Sequence, residues 1–147
     1  MSATVTSVNL SERKTVRKTR GTTGVLIPGH GFEGDAHAGD WHRQVSLLAE
    51  ESIASMREKG LDVDAGDFAE NITTRGIDLV SLPVGTRVKV GETLLEVSQI
   101  GKVCHTKCAI YYQAGDCVMP REGIFAVVIE GGRVSAGDPI EVVEEQG

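Results

Sequence analysis

Apolar and polar residues along most of this chain fall in short runs broken by glycine, a pattern that predicts strands rather than helices. ATVTSVNL (3–10) reads as a first strand. Val25 to Ile27 is a short apolar run closed by Pro28-Gly29. AENITT (69–74) reads as a strand with a polar residue, Asn71, among its apolar and threonine positions. TRVKV and TLLEV flank Gly91-Glu92 and predict a hairpin with a glycine-first two-residue turn. The second arm runs on to Ile100. IFAVVIE, Gly131-Gly132 and RVSAGDPIEVV predict the closing strands, with Pro139 at a strand start or edge because it has no N–H to give a ladder.

One stretch has helical spacing. Val45, Leu48, Ala49, Ile53 and Met56 predict a helix from Ser46 to Lys59. Ser46 would cap it, Glu50 and Glu51 lie near its start, and Gly60 would stop it. The stretch before it, GHGFEGDAHAGDWHRQ, has too much glycine for a helix and is too long for a simple turn; such loops often carry function. LDVDAGDF (61–68) is an acidic connection that lacks the rest of a calcium loop. One main helix among many short strands predicts a mainly β protein with minor α content, a barrel or curled sheet forming a single domain over 1–147.

Composition changes this picture little. Aromatic residues are only 4%, so the core must be Val, Ile, Leu and Ala. Charge says more. The net charge is −6, yet residues 1–20 carry Arg13, Lys14, Arg17, Lys18 and Arg20 against Glu12 alone. The acidic body argues against nucleic acid as a partner, and the basic start offers either a phosphate contact or a solvated strand edge. No segment approaches a membrane span, no signal-peptide core is visible, and three cysteines do not make a secreted disulfide framework. These features predict a cytoplasmic protein without a membrane partner.

Candidate chemistry concentrates in three places. GKVCHTKCAIYYQAGDCVMP (101–120) holds all three cysteines, with Cys104, His105, Cys108 and Cys117 in a C-H-x2-C-x8-C spacing. Four such ligands suit a structural zinc ion if they converge, a thiol pair suits redox exchange, and a free Cys is equally a small buried hydrophobe. Asp35, His37, Asp40 and His42 offer a divalent-metal set, proton transfer by His37, or merely side chains bracing a loop. Trp41 reads as a packing residue. Arg43, Arg75 and Arg121 can each fork onto a phosphate or form a surface ion pair. An inward-facing Asn71 would need a partner, from a ligand or a neighbouring loop.

Three pieces in this order resemble the MOSC domain, named for the C-terminal domain of molybdenum cofactor sulfurases. They are GFEGDAHAGDWHRQVSLL, then FAENITTRGIDLVSLPVGTRVKVGETLLEV, then CHTKCAIYYQAGDCVMPREGIF running into AVVIEGGRVSAGDPIEVV. The resemblance covers about Val5 to Val143 and is closest to the short stand-alone bacterial type. It implies a β-barrel of the pyruvate-kinase barrel type and a role with the molybdenum cofactor. It implies that Cys104 ligates molybdenum or accepts sulfur as a persulfide; Val103 precedes it where some members have Pro. Soft thiolates suit both roles, and Lys102, His105 and Lys107 would favour the thiolate. Asn71 matches the strand Asn near the cofactor, here preceded by Glu70 rather than Arg or Pro. Ser11, Lys14 and Lys18 match a basic segment suited to a phosphate, with Arg43 beside them; His37 and Asp35 would shape the loop and move protons. The pyridoxal-phosphate domain of the sulfurases has no counterpart in these residues. The expected partners are a pterin cofactor or sulfur donor and a protein of molybdenum-cofactor biosynthesis or a molybdoenzyme. Two other roles remain open: a non-catalytic carrier or adaptor that hands on cofactor, and a small zinc-binding structural protein.

Overall fold

The computed structural model describes residues 3–10, 19–35, 38–41, 44–58, 60, 70–100 and 123–143. Among these, eleven strands and one α-helix follow one another: β1 (Ala3–Leu10), β2 (Thr19–Gly21), β3 (Thr23–Ile27), β4 (Gly31–Phe32), β5 (Val45–Ala49), α1 (Glu50–Glu58), β6 (Ile72–Arg75), β7 (Arg87–Val90), β8 (Thr93–Ile100), β9 (Ile124–Glu130), β10 (Gly132–Ser135) and β11 (Pro139–Val143). A single 3-10 turn, Leu79–Ser81, lies between β6 and β7.

The main sheet closes on itself. Hydrogen-bonded neighbours run β11, β7, β8, β9, β5, β6, β1, and β1 returns to β11. The closing contact is antiparallel, with Ala3 opposite Ile140 and Thr4 opposite Pro139. The result is a seven-stranded β-barrel, which leaves no open edge in that ring. β2 adds to β1 beyond the closing contact, and β10, β3 and β4 form a small second sheet. Leu26, Phe32 and Val134 of that sheet are buried in the same apolar core as Val5, Val8, Leu47, Ile72, Leu95 and Ile124. Gly24 permits this contact: a Cβ there would sit 2.8 Å from the Phe32 ring.

The hairpin predicted around Gly91-Glu92 is present. β7 pairs with β8 from Arg87 opposite Glu96 to Val90 opposite Thr93, and Gly91 has φ 57, a conformation that glycine takes without strain. Pro139 starts β11, as its missing N–H requires.

The predicted helix is corrected at its start. Val45 to Ala49 form β5, and α1 begins only at Glu50. Ser46 is therefore a strand residue and not a helix cap. β5 is bonded on both sides, parallel to β6 and antiparallel to β9, and four of its five residues are buried. A strand buried on both faces reads as an unbroken apolar run, so short apolar runs of strand and helix look alike. The parallel pairing of β5 with β6 also demands a crossover, and α1 is part of it. It contacts both strands and buries Ile53 and Met56.

Candidate functional site

Strand alternation gives the barrel wall two faces. Val8, Val45, Leu47, Ile72, Ile124 and Ala126 point into the apolar core. Their neighbours Ser7, Asn9, Ser46, Thr73 and Phe125 point the other way, yet each is buried. Asn71, just ahead of β6, joins this outer set and is fully buried. The expectation that Asn71 faces inward is thus corrected: Ile72 holds the inward position beside it.

The outer residues line up in a row across the sheet. Gln99 of β8 stands opposite Phe125 of β9, and Phe125 stands opposite Ser46 of β5. Asn71 is bonded to Ser46, and the Asn9 N–H donates to the Asn71 carbonyl at 2.7 Å. Asn9 in turn stands opposite Arg20 of β2. Two residues along, Ser7, Thr73 and Leu48 form the next row.

The hydrogen bonds within the rows have definite directions. The Ser46 backbone N–H donates to Asn71 Oδ1 at 2.9 Å, and the Ser46 hydroxyl lies 3.2 Å from the same oxygen. The Asn71 backbone N–H is shared between Ser46 O at 2.9 Å and Ser46 Oγ at 3.0 Å. Asn71 Nδ2 donates to Asn9 O at 3.3 Å. Asn9 Nδ2 donates to Glu70 O at 3.2 Å and to Thr73 Oγ1 at 3.0 Å, and the Thr73 hydroxyl donates to Glu70 Oε2 at 2.9 Å. Asn71 thus fastens the start of β6 to both of its neighbours. Ser7 Oγ and Asn9 Oδ1 are buried and have no hydrogen-bond partner. Buried polar atoms without partners are uncommon in folded proteins and expensive to keep.

Several sequence candidates lie outside the described residues: Cys104, His37, Ser11, Lys14, Lys18 and Arg43, and with them His42, His105, Cys108, Cys117 and Arg121. Several of them are close in sequence to residues of those rows. Ser11 is two positions beyond Asn9, Lys18 two before Arg20, Arg43 three before Ser46, and Cys104 five beyond Gln99. Asp35 is described. It is buried in the turn after β4, where its N–H donates to Phe32 O at 3.2 Å and its carbonyl accepts from Ala38 at the same distance. The far end of that loop is held by Gln44, whose side-chain Oε1 accepts the Val128 N–H at 2.9 Å. Asp40 is exposed, and Trp41, expected to pack, keeps 37% of its surface in solvent.

Arg75 resolves to the ion-pair reading. Its Nε donates to Glu50 Oε2 at 2.9 Å across β6 and α1, with the arginine side chain largely exposed. A groove of about 390 Å³ lies nearby, lined by Ala49, Glu51, Gly76, Ile77, Asp78 and Leu79. Among the described residues, none of the candidates for chemistry lines it. Among the described residues, no cluster of three His, Cys, Asp or Glu side chains is poised to hold a metal, and no helix is long and apolar enough to cross a membrane.

Sequence reasoning missed Asn9, Ser46 and Thr73. Asn9 and Thr73 are ordinary polar residues at alternating strand positions, a pattern that reads as a solvated face, and Ser46 reads as a helix cap. Only burial distinguishes them.

Comparison with known proteins gives one family. The model of the MOSC domain matches residues 33–141, more than half of the chain. A solved structure of the YUAD protein from Bacillus subtilis superimposes with a TM-score of 0.80 at 20% identity, covering 99% of this chain and 98% of that one. YiiM from Escherichia coli gives a TM-score of 0.70 at 24% identity, covering 99% of this chain and 71% of its own. YiiM from Geobacillus stearothermophilus gives 0.73 at 21% identity, covering 97% and 75% respectively. These likenesses establish a shared fold. No curated protein matches the sequence significantly.

Proposed function

The chain belongs to the MOSC family, and from that premise we propose that it works with the molybdenum cofactor, binding its pterin or taking up sulfur for it through Cys104. The observation that supports this reading is the match to the MOSC family over residues 33–141, together with the buried polar row on the barrel wall. The strands bearing Asn9, Ser46, Asn71 and Gln99 are hydrogen-bonded neighbours or share a partner strand. The segments that carry Ser11, Lys14, Lys18, Arg43 and Cys104 adjoin those strands in the chain.

The fit to such a group rests on the chemistry of the donor set, a thiol at Cys104 for a soft metal and Lys14, Lys18 and Arg43 for a phosphate. When bound, the cofactor supplies a metal centre that prefers soft sulfur ligands. The protein's part is to present a thiolate and hold it in place. Cys104 follows β8, whose pairing with β9 fixes the strand as far as Ile100 opposite Ile124. Ser46 and Asn71 lock β5 to β6 by reciprocal hydrogen bonds, so the wall beside β9 cannot shear without breaking them. Lys14, Lys18 and Arg43 supply positive charge for a phosphate, and Asp35 with His37 shapes the loop that leads to β5.

The reading is tested on protein purified from a molybdenum-replete host, by elemental analysis and intact mass. Bound molybdenum, or a one-sulfur mass adduct, that disappears in Cys104→Ser is the expected result. Stoichiometric zinc whose removal unfolds the chain would overturn it, and so would a sulfur adduct that persists in Cys104→Ser. If cofactor binds and Cys104→Ser loses it, turnover of N-hydroxylated substrates with an electron donor separates an enzyme from a carrier.

A further inference from the structure

The end of the barrel away from the polar row carries two grooves that the proposed function does not use. β1 and β6 are antiparallel, so the start of β1 and the end of β6 lie together there, and Ala3 also stands opposite Ile140 of β11. Ala3 is six positions before Asn9 on β1, about 20 Å along an extended strand. The groove of about 390 Å³ beside α1 meets a second of about 500 Å³, lined by Ala3, Pro139, Ile140, Glu141 and Val142. Gly76 and Ile77 line both and form the ridge between them.

The ridge offers backbone groups. Gly76, at φ 84, turns the chain out of β6, and Asp78 is extended ahead of the 3-10 turn. Among the described residues, neither the N–H nor the C=O of Ile77 takes part in a hydrogen bond. An exposed segment with free N–H and C=O groups is what an incoming strand pairs with. The ridge is also held in place beforehand, which lowers the cost of binding. Glu51 Oε2 accepts the Gly76 N–H at 3.0 Å, and the Ser81 hydroxyl donates to Asp78 O at 2.7 Å.

The walls are apolar and the charge has one sign. Val80 in the first groove and Val142 in the second keep 36% and 47% of their surface in solvent. Every ionisable side chain lining the two grooves is a carboxylate: Glu51, Asp78 and Glu141. Among the described residues none of the three is in an ion pair, and Arg75, next to Gly76, is committed to Glu50. These carboxylates repel a nucleic acid or a phosphate. A small apolar ligand would leave the Ile77 backbone groups unmatched. A peptide with cationic and apolar side chains satisfies all three features.

We propose that this end of the barrel docks an extended segment of a partner protein. Its backbone pairs with Ile77, its apolar side chains sit in the grooves on either side, and its Lys or Arg side chains meet Glu51, Asp78 and Glu141. Docking there leaves the polar row, at the other ends of the same strands, free. The proposed role of Cys104 is not needed for it.

The test titrates the full isotopically labelled chain with short capped synthetic peptides and follows its amide signals by NMR. One peptide alternates Lys and Val, a second alternates Glu and Val, and a third is the Lys–Val peptide with its backbone N-methylated. The Lys–Val peptide should bind and move the signals of Gly76 to Val80 and of Ile140 to Val142. The other two should bind at least about tenfold more weakly, the worth of one or two hydrogen bonds or of a few exposed ion pairs. The Asp78 side chain caps no turn, and neither Asp78 nor Glu141 is in an ion pair among the described residues. The double variant Asp78→Lys with Glu141→Lys should therefore melt like the wild type while preferring the Glu–Val peptide. No binding of the Lys–Val peptide, equal binding of all three, shifts centred elsewhere, or an unchanged preference in the double variant would overturn the proposal. So would a dimer in sedimentation that the double variant loses, since a second copy would then be the occupant.

Discussion

Two faces of the same barrel wall obey different rules. On β1, β6, β5 and β9 the inner positions Val8, Ile72, Leu47 and Ile124 are apolar and join one core. The outer positions Asn9, Thr73, Ser46 and Phe125 on the same strands are just as buried, and most of them are polar. The inner face is held by volume: any apolar side chain of similar size fits with modest loss. The outer face is held by direction. Asn71 must accept from Ser46 and donate to Asn9 at once, and a residue of the same size without that polarity fails at both. A fold needs only the first kind of face. The second kind fastens neighbouring strands to one another through directed hydrogen bonds.

Five substitutions probe that contrast by chemical denaturation. Ile72→Ala opens a cavity at a fully buried inner position and should have the largest effect, about 2–5 kcal/mol. Asn71→Leu should follow, at about 1–3 kcal/mol for each buried group it strands, here the Ser46 N–H and the Asn9 carbonyl. The sharpest comparison is between neighbours on opposite faces. Thr73→Val keeps the shape but leaves Asn9 Nδ2 and Glu70 Oε2 each short of a partner, whereas Ile72→Val only removes a methylene. Thr73→Val should cost about 1–3 kcal/mol and Ile72→Val about 0.5–1.5 kcal/mol. If Thr73→Val proves the milder, direction does not govern the outer face and the contrast fails. Arg75→Ala should be the smallest, below about 1 kcal/mol and weaker still at high salt, because its ion pair with Glu50 is exposed.

Much of the fold was legible beforehand where local chemistry is decisive. Gly91 can take a positive φ that other residues resist, so the β7–β8 hairpin follows from the sequence. Pro139 cannot donate to a ladder, so it opens β11. β5 was not legible, because Val45, Leu47 and Leu48 are buried for reasons that lie in β6, β9 and the far side of the wall. The same gap hid part of the site. Asn71 stood out as a polar residue in an apolar setting, and its resemblance to a family position gave it a role. Asn9 and Ser7 sit at ordinary alternating positions of β1, where nothing local says that both faces are covered.

The sequence by itself determined a strand-rich fold with one main helix, its tight turns and the gathering of its thiols into one segment after β8. Turn geometry, proline's missing donor and two-residue alternation act within a few residues, so no partner is needed to read them. Tertiary structure alone decided that β5 is a strand, that Asn71 faces outward onto Ser46, and that Ser7 and Asn9 keep buried atoms unsatisfied. Each of these depends on which strand lies alongside and what covers it, and burial is a property that no residue carries in its own side chain.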